Sequence, residues 1–224
     1  MAERVRVVDA GPRRPVPARG SRFTVWLASV LCRRGVTPNA VSVSSAVFAV
    51  FGGVALVLHH GAGPVVGVAL LAAAVVCIGL RSLANLIDGM IAVEGGKATS
   101  SGAIYNEFPD RLSDIAFFLG AGYATAGTTG SVELGWTAAL LAVLAAYTRA
   151  LGAASGAPHD FGGPMAKPHR MVLLALGCVA LAVEQLTTST RYSLVVALAA
   201  VCLGSAVTIA GRLSRAVRAL EVQP

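Results

Sequence analysis

PVVGVALLAAAVVCIGLRSLANLIDGMIA, residues 64–92, is apolar from Pro64 to Leu80 and then turns polar without a helix breaker. An apolar helix of that length can cross most of a hydrocarbon core about 30 Å thick. Its polar end carries Arg81, Asn85 and Asp88. At helical spacing Asn85 and Asp88 lie one turn apart on one face, with Arg81 two turns deeper than Asp88 on that face. Ionisable groups in a spanning helix are costly, so they mark functional sites.

Outward from this stretch the pattern repeats. Apolar runs at about 40–59, 103–124, 134–153, 170–187 and 192–211 each have the length of a crossing. The 224 residues are 55% hydrophobic and 13% charged, whereas a soluble domain carries about 25% charge. Mean hydropathy is +0.72. The expected fold is an all-α membrane protein with six transmembrane helices, one membrane domain over 37–212 and no room for a separate soluble domain.

Residues 1–20 mix Pro, Gly and Arg without apolar period and read as a disordered basic tail. No cleavable signal peptide is expected, since the first long apolar run starts only near Ala40. In 21–36, Ser21 can cap a helix whose Phe23, Trp26, Leu27, Val30 and Leu31 form one stripe, with Arg22, Arg33 and Arg34 off it or at its end. That is the pattern of an amphipathic interfacial helix preceding the spans; packing on the protein itself is compatible with it. Residues 213–224 read as a cytoplasmic tail.

Net charge is +7, but the basic residues lie between apolar spans rather than on one soluble face. Anionic lipid head groups are therefore the expected partners, and nucleic acid is not. Lys and Arg concentrate in the N-terminal segment, the 93–102 loop, the 154–169 loop and the C-terminal tail, while the other loops hold only Arg191. Both termini are expected on the cytoplasmic side of the cell membrane. Cys32, Cys77, Cys178 and Cys202 have no metal-like spacing and read as small core residues. The Gly120-Ala121-Gly122 run allows close helix approach, in a homodimer or in internal packing.

The third span opens with a second polar row: Asn106, Asp110 and Asp114 at i, i+4 and i+8. The short connection predicts antiparallel neighbours, whose rows can face each other. Hard oxygens converging from two helices suit Mg²⁺ or Mn²⁺, completed by phosphate oxygens and water. Gly89 and Gly102 remove side chains beside the cluster, where a nucleotide could reach the backbone. Asp114 reads either as a ligand or as the partner of Arg81. Asn85 and Asn106 read as ligands or as interhelical hydrogen-bond donors, and Arg111 as a snorkelling residue. A further basic set, Arg149, Lys167 and Arg170, reads as topology signal or as a pocket for an anionic acceptor.

This arrangement resembles the CDP-alcohol phosphotransferase family, whose signature is D-x-x-D-G-x-x-A-R, eight or so residues, then G-x-x-x-D-x-x-x-D. Asp88-Gly89, Ala92, Gly102 and Asp110 match at the right spacing, and Thr37-Pro38-Asn39 looks like the family's entry motif. Asn85, Val93 and Asn106 depart from it, standing where two aspartates and the arginine are expected. The resemblance implies transfer of a substituted phosphate from a CDP-linked donor, typically CDP-diacylglycerol, to an alcohol, with release of CMP. Asp110 would be the general base. Asp88, Asp110, Asn85, Asn106 and Asp114 would hold metal. Gly89, Ala92, Gly102, Lys97 and Arg111 would lie along the nucleotide, and Arg149, Lys167 and Arg170 would bind the acceptor, such as a phosphorylated polyol. The site would face the cytoplasm, in phospholipid biosynthesis. The three departures also define the alternative, an inactive relative that binds CDP-lipid or serves as an assembly partner. A transporter with carboxylates in its path is a third reading, but it would call for matched broken spans.

Overall fold

In a computed structural model of the chain, residues 21–93, 95–96, 99–188 and 190–222 are described. The basic tail over 1–20 and Lys97 lie outside them. The described chain is helical throughout: α1 Arg22–Arg33, α2 Pro38–His59, α3 Pro64–Val93, α4 Gly102–Ala124, α5 Ser131–Ala154, α6 Lys167–Thr187 and α7 Tyr192–Glu221.

Helix starts follow local chemistry. The Ser21 hydroxyl accepts from the Thr24 N–H, and Thr37 from the Ala40 N–H at 3.2 Å, with Pro38 opening α2. Gly35, at φ +78°, supplies the left-handed turn between these helices. At the other end α7 runs on to Glu221, well past the expected end of the last span near 211. The tail sequence RLSRAVRALE has no Gly or Pro and consists largely of good helix formers, so nothing stops the helix.

α2 to α7 close into a ring: α3 packs on α2, α2 on α4, α4 on α5, α5 on α7, α7 on α6, and α6 returns to α3. α1 lies against α3. The core holds Leu56, Leu71, Phe117, Phe118, Leu174 and Leu198 among others. The outer faces are as apolar as the core, with Phe51, Val65, Leu140, Val196 and Leu203 each at least 60% exposed. A surface of this kind is stable against lipid rather than water. Among the described residues, five helices (α2, α3, α5, α6 and α7) are long and apolar enough to cross a membrane. α4 falls outside that set because Glu107, Asp110, Arg111 and Asp114 crowd its first half.

The expectation that α3 and α4 pack as direct neighbours needs correction, because each packs chiefly on α2. Their backbones share few close contacts, and side chains bridge them: Asn85 reaches Asp110 directly, and Arg81 reaches both Asp110 and Asp114. The ring closes tightly where α2 meets α4. A Cβ on Gly120 would lie 2.6 Å from the Gly53 carbonyl oxygen, and one on Gly53 would lie 2.5 Å from that of Ala116. Gly122 meets Gly135 of α5 just as closely, so the Gly120–Gly122 run serves internal contacts. Gly120→Val should force α2 and α4 apart at a cost of about 1–3 kcal/mol or more, read as a lower thermal midpoint in detergent. An unchanged midpoint would contradict this packing.

Candidate active site

The gap between α3 and α4 is filled by charge. Arg81, 1% exposed, reaches from α3 to two carboxylates of α4 one turn apart. Its Nη2 donates to Asp110 Oδ1 at 3.2 Å and to Asp114 Oδ1 at 3.4 Å. Arg170 of α6 donates through Nη2 to the other Asp114 oxygen at 3.0 Å. Asp114 is wholly buried and held by two guanidinium groups. Both of its oxygens are engaged by cations, as its reading as the partner of Arg81 requires, with Arg170 as a second partner.

One turn nearer the helix end, Asp110 is the hub. Asn85 donates through Nδ2 to Oδ1 at 2.5 Å, Lys167 Nζ bonds Oδ2, and Arg111 Nη2 lies 3.7 Å from Oδ2. Asp88, on the same face of α3 as Asn85, is 4% exposed and accepts from Ser42 Oγ of α2 at 2.5 Å. It lies within electrostatic reach of Asp110 and Lys167. Asn85, Asp88, Asp110 and Lys167 are thus brought together. Asn106 stands one turn beyond Asp110 and is exposed, and Gly89, Ala92 and Gly102 are partly exposed. Val93 is 39% exposed at the end of α3 and offers no charge.

Around Asp88, Glu107, Asp110 and Asp114 stand five cations, Arg81, Arg111, Arg149, Lys167 and Arg170, with Glu107 shared by Arg111 and Arg149. The Nε donors of Arg81, Arg111 and Arg170 are buried with no hydrogen-bond partner among the described residues. Buried donors without partners are costly, and a cation surplus at such a place suits an anion. Among the described residues no three His, Cys, Asp or Glu side chains are grouped to hold a metal by themselves. The donor chemistry nevertheless fits a divalent ion. Asp88 and Asp110 carboxylates and the Asn85 and Asn106 amides are hard oxygen donors suited to Mg²⁺ or Mn²⁺, provided phosphate oxygens and water complete the shell.

The second basic set divides. Lys167 and Arg170 point into the carboxylate cluster, while Arg149 of α5 pairs with Glu107 and stands 5.3 Å over the Phe161 ring. Next to it opens a cavity of about 300 Å³ lined by Thr148, Arg149, His159, Asp160, Arg212 and Arg215. The 160s loop is pinned to α7 there. Arg212 donates to the carbonyls of Gly162 (3.1 Å) and Ala145, Thr208 Oγ1 accepts from the Met165 N–H at 3.0 Å, and Arg215 pairs with Asp160 at 2.7 Å. Burial pushes the Asp160 carboxyl upward, but Arg215 and the Gly162 N–H outweigh it and hold it below the ordinary carboxylate range. Ser42, Arg212 and Arg215 escaped the sequence reading. Ser42 is a small polar residue in an apolar span, and arginines after the last span look like topology signal. Their spacing at i and i+3 on a continuing helix was the available clue.

A helical membrane bundle whose carboxylates, amides and cations meet between its second and third long helices is the architecture of a membrane phosphotransferase, and the chain belongs to the CDP-alcohol phosphotransferase family. It is similar to the phosphatidylinositol phosphate synthase of Corynebacterium glutamicum, with 31% identity over 193 residues, 84% of this chain and 80% of the relative. The same enzyme of Mycolicibacterium smegmatis is 30% identical over 159 residues; the match spans 67% of this chain and 65%, just under two thirds, of the relative. Crystal structures of Mycobacterium tuberculosis phosphatidylinositol phosphate synthase share the fold. The form with CDP-DAG bound has a TM-score of 0.70 at 26% identity, covering 88% of this chain and 94% of that one. The form with manganese and citrate has a TM-score of 0.70 at 25% identity, covering 87% and 88%. No family model matches the chain.

Proposed function

We propose that the protein transfers a phosphatidyl group from a CDP-diacylglycerol-type lipid to the hydroxyl of an alcohol, a phosphorylated polyol, and releases CMP. The observation that carries this reading is the buried surplus of cations, with unpaired guanidinium donors, beside the Asp88–Asp110 pair. Two anionic substrates, a diphosphate and a phosphorylated acceptor, would satisfy that surplus.

The acceptor oxygen bonds to the phosphorus that bears the diacylglycerol, and the bond from that phosphorus to the bridging oxygen of CMP breaks. The hydroxyl proton passes to Asp110 as general base. Arg81 and Asn85 hold Asp110 Oδ1, which leaves Oδ2, now on Lys167, to meet the acceptor hydroxyl. Asp88 with the Asn85 amide oxygen would hold the divalent ion, with Asp110 and Asn106 alongside; when bound it would neutralise the diphosphate and favour departure of CMP. Gly89, Ala92 and Gly102 leave room for the nucleotide, and Arg111 takes the place of the missing arginine at Val93 beside the diphosphate. Arg149, Lys167 and Arg170, joined by Arg212 at the neighbouring cavity, receive the acceptor's phosphate. Asp114 acts through Arg81 and Arg170 rather than as a ligand.

In this reading α2 to α7 all cross the membrane. α4, with 23 residues, is about 35 Å long at 1.5 Å per residue, enough to span. α1 lies in the interface with Phe23 and Trp26, each 57% exposed, turned to lipid. The termini and the site face the cytoplasm, where the cationic loops meet anionic head groups.

Steady-state kinetics of Arg149→Gln test the acceptor pocket. Loss of one charge-assisted contact is worth roughly 1.5–3 kcal/mol, so the acceptor KM should rise about ten-fold or more while the donor KM stays put. An equal effect on both substrates, or none, would return Arg149 to a topology signal.

A further inference from the structure

We infer that this chain holds a single divalent ion, at Asp88 and Asn85, and that Lys167 and Arg81 supply on the Asp110 side the positive charge that a second ion would bring. The inference rests on the proposed transfer reaction and concerns how its charge is arranged.

Of the three buried carboxylates, Asp114 has both oxygens on arginines and Asp110 has Oδ1 on Arg81 and Asn85 and Oδ2 on Lys167. Asp88 alone meets no cation directly, and its partner is the neutral Ser42 hydroxyl. Aspartate at positions 85, 88, 106 and 110 would bring four negative charges, whereas Asn85, Asp88, Asn106 and Asp110 bring two. One of those two is already offset by Lys167 and Arg81.

Two divalent ions side by side repel four times as strongly as two unit charges at the same distance. Bridging carboxylate charge must hold them together, and here it is missing. One ion meets no such obstacle. Asn85 spends its Nδ2 on Asp110, which leaves its amide oxygen as a neutral donor on the face it shares with Asp88. The ammonium of Lys167 and the guanidinium of Arg81 already touch Asp110, so its charge is offset by fixed cations and it would add little to hold a second ion.

Manganese binding to the full chain in detergent micelles, with CDP-diacylglycerol present, reads this without turnover. Equilibrium dialysis should give one Mn²⁺ per chain, and electron paramagnetic resonance the six-line pattern of an isolated ion. Asn85→Asp combined with Asn106→Asp should admit a second ion and produce an exchange-coupled signal. Two ions in the native chain, or none, would overturn the inference. A double variant that folds to the native thermal midpoint yet still takes one ion would overturn it too. Two coupled ions in a protein that releases CMP would leave the transfer reaction standing. One ion in a protein that releases no CMP would remove the reaction and leave the ion count intact.

Discussion

Asp110→Asn is expected to reduce CMP release by roughly 10²–10⁴-fold, the range over which a positioned general base contributes. The amide keeps the shape and its one oxygen can still accept from Arg81 and Asn85, but its NH2 cannot accept from Lys167, which now touches the other carboxylate oxygen, and it cannot take a proton. The loss should therefore fall on kcat, with donor KM changed little. Single-turnover release of CMP, beside binding of CDP-diacylglycerol to the same variant, separates the two. Full activity would remove Asp110 from the chemistry. Loss of donor binding as the whole effect would make it a binding residue only.

The second large effect is one of stability. Asp114 has 0% exposure and sits between Arg81 and Arg170 at 3.4 and 3.0 Å. Asp114→Asn leaves the buried Arg170 without its counter-charge and Arg81 with Asp110 alone, and breaking a buried pair in this way costs about 3–5 kcal/mol. Thermal unfolding in detergent should show a large drop in midpoint and a poor yield of monodisperse protein. Arg81→Leu with Asp114→Leu removes one cation with the carboxylate but leaves Arg170 unpaired, so it should recover only part of the loss. Adding Arg170→Leu should recover more. An Asp114→Asn protein with native midpoint would show that the pairing does not hold the bundle, and would return Asp114 to the ligand set.

The long helices were legible because their apolar runs match membrane thickness and their ends carry Pro, Gly and Thr. Thr37-Pro38 and Gly35 are written into the chain as a start and a stop. The carboxylate rows were legible too, since helical spacing alone puts Asn85 with Asp88 and Asp110 with Asp114. What the chain order hides is the angle between helices. It sets α2 between α3 and α4, lets Arg81 reach two aspartates at once, and brings Lys167 and Arg170 of α6 across the bundle. Arg212 was hidden for a different reason: a cation that serves membrane orientation and one that lines a cavity are the same residue in the same place after a span. Its role emerges only where it donates to the Gly162 and Ala145 carbonyls.

The most direct measurement is CMP release by the purified protein from CDP-diacylglycerol, with and without Mg²⁺ or Mn²⁺, across acceptors that differ only in carrying a phosphate. The account predicts release that needs the divalent ion, that is matched by formation of a phosphatidyl product, and that is much faster with the phosphorylated polyol. A protein that binds CDP-diacylglycerol but releases no CMP with any acceptor would contradict it.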